Sequence, residues 1–205
     1  MANKKCECTW KDFEKWIIPF IYSPKDEFSR PPTNMIQSFI RKTAYEFAKR
    51  TGVLRRTLYF HLDCGVCDYN IGCIGDDIFS YKKVTVNGNL LTDNDYEVRD
   101  DVLYLEFKPT SDVYEGISVE YSYAPCEDLA CEVPQEFCTR YREGIIAGVL
   151  SQLFCMPHMD WYSQSASEKF KKDYEAQISM AKVDIRKRKS SRRKTIYDME
   201  TRFIR

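Results

Sequence analysis

The spacing of apolar residues along this chain changes twice, and no single-layer fold accommodates that. Up to about Gly52 they recur every three or four residues, from Thr57 to Tyr123 they alternate, and after Pro134 the helical spacing returns. A period of two buries one face of a sheet and a period near 3.6 buries one stripe of a helix. The pattern therefore predicts an α+β protein, a helical bundle core with an inserted antiparallel β domain and an extended basic C-terminal tail. The expected boundaries are 1–54 for the N-terminal helices, 55–125 for the β insertion, 126–189 for the C-terminal helices and 190–205 for the tail. At 205 residues, one core with an appendage is the natural size.

Within the first part, Trp10, Phe13 and Ile17 share a helix face over Trp10 to Ile18, and Pro19 is expected to end that helix. A polar linker, Ser23 to Pro32, precedes a second helix on which Ile36, Phe39, Ile40, Ala44, Phe47 and Ala48 form the apolar stripe. Thr33 or Asn34 is the expected cap and Gly52 the stop. In the β region, Val84-Thr85-Val86, the turn Asn87-Gly88 and Leu90-Leu91 predict a tight hairpin, because both turn residues accept positive φ. A second hairpin is expected from Tyr96-Glu97-Val98 through Asp100-Asp101 to Leu103-Tyr104-Leu105. Ile117 to Tyr123 alternates strictly, so Ser118, Glu120 and Ser122 should share a wet face.

Phe137 to Phe154 reads as one central helix, apolar around much of its circumference, with Gly144 and Gly148 spaced for close packing and Met156-Pro157 beyond its end. A last helix is expected from near Asp160, with Ala166, Phe170, Tyr174, Ile178, Ala181 and Ile185 in one stripe. Ser190-Ser191 should break it and leave the remainder mobile. From Arg186 onward there are nine Lys/Arg against two Asp/Glu, a net +7, and because the whole chain is neutral the rest is −7. Such a segment suits either nucleic acid or an acidic protein surface. Its apolar residues, ending in Met199 and Phe203-Ile204, favour a docking peptide, since nonspecific DNA binding needs charge alone.

Catalytic machinery is not legible in the sequence. His61 and His158, the two histidines, have no motif around them, and no nucleophile elbow, phosphate loop, dinucleotide fingerprint or zinc-protease motif occurs. Asp76-Asp77 and Asp100-Asp101 read as turn residues. The nine cysteines, an odd number, cannot all pair, and are read as thiols in a cytosolic setting. Cys64-x-x-Cys67 with Cys73 is the one cluster that could hold zinc, but a second close pair is lacking and no helix follows to activate a thiolate. No cofactor is expected. The longest apolar runs, Trp16 to Tyr22 and Gly144 to Leu150, are seven residues each, too short for a membrane span or a signal peptide, so a soluble protein with no membrane partner is expected.

The C-terminal third resembles the head-to-tail adaptor, or connector, proteins of tailed phages. The residues that carry this are Val133-Pro134, Glu143-Gly144-Ile145-Ile146-Ala147-Gly148-Val149-Leu150, Met156-Pro157, Trp161, Ala166, Phe170, Tyr174, Ile178 and Ala181, then a basic extension with an Arg-Phe pair. Earlier, Phe39 to Thr51, with Ala44-Tyr45-Glu46-Phe47 and Arg50-Thr51, is similar to the family's early helix in layout. The resemblance implies a non-enzymatic virion protein at the head-tail junction, assembled in the host cytoplasm as a homo-oligomeric ring, commonly a dodecamer. Its implied partners are the portal protein, a tail tube or nozzle protein, and genomic DNA passing through the lumen without sequence recognition. The C-terminal extension would reach the portal, which makes Arg186, Lys187, Arg188, Lys189, Arg192, Arg193, Lys194, Arg202, Phe203 and Arg205 the portal-binding residues. Cys64, Cys67 and Cys73 depart from the family pattern. A DNA-binding protein using the same tail, or a zinc or thiol protein, are the alternative readings.

Overall fold

The computed structural model describes residues 9–21, 31–72, 76–125 and 133–202, and it is α+β. The chain divides into two compact units, one made of Met1–Val53 with Ala130–Arg205, the other of the intervening Leu54–Leu129.

In the helical unit, α1 spans Trp10–Ile21 and buries Trp10, Phe13, Glu14 and Ile17. Asp12 closes its first turn, its carboxylate accepting from both the amide and the hydroxyl of Thr9. Pro19 lies inside this helix rather than ending it. Its missing amide forfeits one bond to the carbonyl four residues back, and the helix ends two residues later at Ile21. Helix α2, Thr33–Thr51, buries Ile36, Ile40, Ala44, Phe47 and Ala48 as the periodicity requires, and stops at Gly52, whose φ of 66° a Cβ would oppose. Its N-cap is Pro32, with no side-chain cap bond, instead of Thr33 or Asn34. Proline presets the backbone there.

The expected single helix over 137–154 is two, α3 (Gln135–Thr139) and α4 (Arg142–Phe154), separated at Arg140 and Tyr141. Neither glycine nor proline marks the break; Tyr141 takes φ −112°, ψ 13°, outside the helical region. Helix α4 packs against α1, α2 and α5. Its two glycines make the approach possible: a Cβ on Gly144 would lie 2.9 Å from the Phe47 ring, and one on Gly148 would overlap the Thr43 methyl and lie 2.9 Å from the Tyr174 ring. Gly148→Ala is therefore expected to destabilise the protein by about 1 to 3 kcal/mol in urea unfolding, whereas an effect near zero would mean that α2 and α5 can move apart freely.

Helix α5 runs Gln164–Arg202, 39 residues and about 58 Å. It begins later than Asp160 because Ser163 supplies the cap, its hydroxyl accepting the Ala166 amide, while His158 turns the preceding loop at φ 65°. The expected stop at Ser190-Ser191 is absent, and the basic tail is helical to Arg202. Serine is only a moderately poor helix former, the flanking Arg, Lys, Met and Glu are good ones, and cations complement the negative end of the helix dipole. Among the residues whose burial is described, up to Lys187, its buried ones are Ser167, Tyr174, Ile178 and Ala181, all in the first half. Burial pushes the Tyr174 phenol up to about 12. The folded state thus prefers the neutral ring, so that part of the stability is intact below the free tyrosine value of 10.0 and is lost as pH climbs towards 12. Tyr174→Phe should flatten the fall in unfolding midpoint across that window.

The β unit contains β1 (Arg55–Leu62), β2 (Asp68–Asn70), β3 (Asp76–Val86), β4 (Asn89–Leu90), β5 (Tyr96–Arg99), β6 (Val102–Leu105) and β7 (Val113–Pro125). They form two antiparallel sheets, ordered β1-β7-β3-β4 and β2-β6-β5. One core joins Val84, Val86, Ile117 and Val119 of the first to Tyr69, Leu103 and Leu105 of the second. Both expected hairpins form, with positive φ at Asn87, Gly88, Asp100 and Asp101. The alternation of β7 holds from Ile117 to Tyr121 and then ends, because Ser122 is fully buried and not on a wet face.

Candidate functional site

Two places gather polar chemistry. The first is the distal half of α5. Arg186 and Lys187 are exposed there, and Arg188, Lys189, Arg192, Arg193, Lys194 and Arg202 follow on the same helix. Phe203 and Arg205 lie outside the described residues. From Ala181 to Arg202 the helix runs about 30 Å, eight of its positions from Arg186 on being Lys or Arg against Asp198 and Glu200. The opposite charge sits in the β unit: residues 54–129 carry fifteen Asp/Glu against six Lys/Arg, a net −9. Since the chain is neutral overall, the helical unit is +9. This partition is legible only once the unit boundaries are known.

The second place is the end of β1. The loop holding Cys64 and Cys67 is tied by its amides: the Gly65 amide donates to the Pro109 carbonyl, and the Cys64 amide to the Asp112 carboxylate at 2.6 Å. Cys64 is exposed, Cys67 partly buried, both are free thiols, and Cys73 lies outside the described residues. What the fold does bring together is His61, Asp63 and Asp112, whose ligand atoms lie within 4.8 Å of one another, all three exposed. The His61 Nε2 is 3.6 Å from Asp63 Oδ1, and the Tyr114 ring stands 6.3 Å from the imidazole. Sequence reading missed this group because Asp112 comes from the segment before β7, and no local spacing signals it. Such a trio has donors for a divalent cation, but it shares no ligand with the expected thiol site.

The reading of the cysteines as thiols holds at Cys64, Cys67 and Cys155 and fails at Cys138, which is disulfide-bonded; sequence spacing says nothing about the sulfur separation on which pairing depends. Cys6, Cys8, Cys126 and Cys131 lie outside the described residues. Among the described residues no helix is long and apolar enough to cross a membrane.

No protein-family model matches the chain, and no curated protein matches it. Among solved structures, the chain has a likeness to the neck of an empty GTA particle computed with C6 symmetry. The identity is 8% and the TM-score 0.30, with 83% of this chain and 92% of that chain covered. A likeness of that size decides neither fold nor function.

Proposed function

We propose that this chain is a non-enzymatic structural protein of a tailed-phage virion, a head-to-tail adaptor. In this reading it forms a homo-oligomeric ring on the portal, extends the DNA channel without reading sequence, and offers the tail its attachment platform. The observation that carries it is helix α5: its first half is held by Tyr174, Ile178 and Ala181, and its second half continues as a basic rod. A segment of that kind needs a partner to supply its interface. The β unit between the two halves of the helical unit agrees with the layout that the sequence resemblance implies. The test is to mix the purified protein with portal-containing heads of the same virus and image them by electron microscopy. A new ring on the portal is expected; a folded protein that leaves the portal bare would end the reading.

The eight cations also support a DNA-binding protein. That reading requires tight, steeply salt-dependent duplex affinity in the isolated protein, whereas the adaptor reading expects weak affinity, since a β unit of −9 repels the same phosphates. A zinc or thiol protein requires about one metal per chain in the purified material. Much less than that is expected, with an unfolding midpoint unchanged by chelator.

A further inference from the structure

The negative charge of the β unit has a surface on which to act. On the β2-β6-β5 sheet, Tyr69, Leu103 and Leu105 point into the core, so the alternate positions make an outer face. Across it runs the cross-strand row Asp68, Tyr104, Glu97. Tyr104 is exposed to 42%, and its cross-strand neighbour Asp68 and the nearby Glu106 are exposed as well. Glu97 is engaged by Arg99. An aromatic centre with an acidic rim is the complement of a basic segment that carries apolar residues, and it repels nucleic acid.

The chain itself contains such a segment. Residues 186–202 hold eight Lys/Arg together with Ile196 and Met199, and they continue α5 beyond its buried half. We propose that the acidic outer face of the β2-β6-β5 sheet in one copy receives the basic 186–202 helix of a second copy. Each copy carries both halves, so the contact is head-to-tail and does not use the same patch twice. It shields the basic segment from nucleic acid until a tighter partner takes it. The pairing stands on charge and exposure alone and does not depend on the adaptor reading, because portal binding is measured separately.

The decisive experiment is sedimentation velocity of the full chain over a concentration series. It is run at about 0.1 M and about 1 M salt, between which the screening length falls from about 10 Å to about 3 Å. Self-association is expected at the lower salt and its loss at the higher. Asp68→Lys/Glu106→Lys, and separately Arg192→Glu/Arg193→Glu, should each weaken association about tenfold or more. An equimolar mixture of the two variants should recover it, because the reversed helix then meets a reversed face. A monomer at every concentration, an association indifferent to these charges, or a mixture that stays dissociated would each overturn the proposal. Should the face variant fail to fold by circular dichroism, the helix variant with wild-type protein decides by the same loss.

Discussion

On the adaptor reading proposed above, a protein lacking residues 186–205 is expected to fold as the full chain does and to be absent from virus heads. The described residues that tie α5 to the helical unit, Ser167, Tyr174, Ile178 and Ala181, precede the cut. So does Arg50, whose guanidinium donates twice to Glu175. That pair is exposed and adds little, but it shows that the retained part of the helix keeps its contacts. What is removed carries nine Lys/Arg and contributes none of the described buried residues. Circular dichroism and unfolding midpoint should therefore be nearly unchanged. Incorporation into particles, measured by quantitative blotting of purified heads, should fall to background. Truncated protein at normal occupancy would show that some other surface makes the attachment.

The second large effect lies in the core. Phe47 is fully buried, with Tyr141 at 5.5 Å and Phe137 and Tyr174 both at 6.1 Å between ring centroids. It joins α2 to α3, to the start of α4 and to α5, and Gly144 is shaped to admit its ring edge. Phe47→Ala removes the ring and leaves a cavity that four separate elements would have to close. A loss of about 3 to 5 kcal/mol is expected, a large share of the total stability of an ordinary domain. All three tryptophans, Trp10, Trp16 and Trp161, belong to the helical unit, so their fluorescence in urea reports its unfolding separately from the β unit. A shift below about 1 kcal/mol would mean that the surrounding rings collapse into the space.

The elements easiest to read from sequence are those whose cause is local. Asn87-Gly88 and Asp100-Asp101 place positive φ where a tight hairpin needs it, and Gly52 ends α2 for the same reason. The apolar stripes of α2 and α5 are periodic over several turns, which no competing structure satisfies. Features with distant causes were not legible. The separation of α3 from α4 has no breaker, the burial of Ser122 reverses an alternating pattern, and the assignment of the described strands to their sheets depends on pairing between segments far apart in the chain. The continuation of α5 through Ser190-Ser191 shows a local signal overweighted: two serines cost a helix little beside a run of arginine and lysine. At the candidate sites, the basic segment was visible as composition. The His61, Asp63 and Asp112 group, by contrast, exists only through tertiary structure.

The β unit enters through β1 and leaves through β7, and these two strands are hydrogen-bonded partners, with Arg55 opposite Ser122 and the Tyr123 amide donating to Leu54. Its two ends therefore meet side by side, as the ends of a plug do. A module joined in this way can lengthen, shorten or be exchanged between relatives without changing the spacing of the chain on which it is carried. The helical residues and the β residues can then drift at independent rates, the first constrained by their shared core and the second by the contacts of their own two sheets.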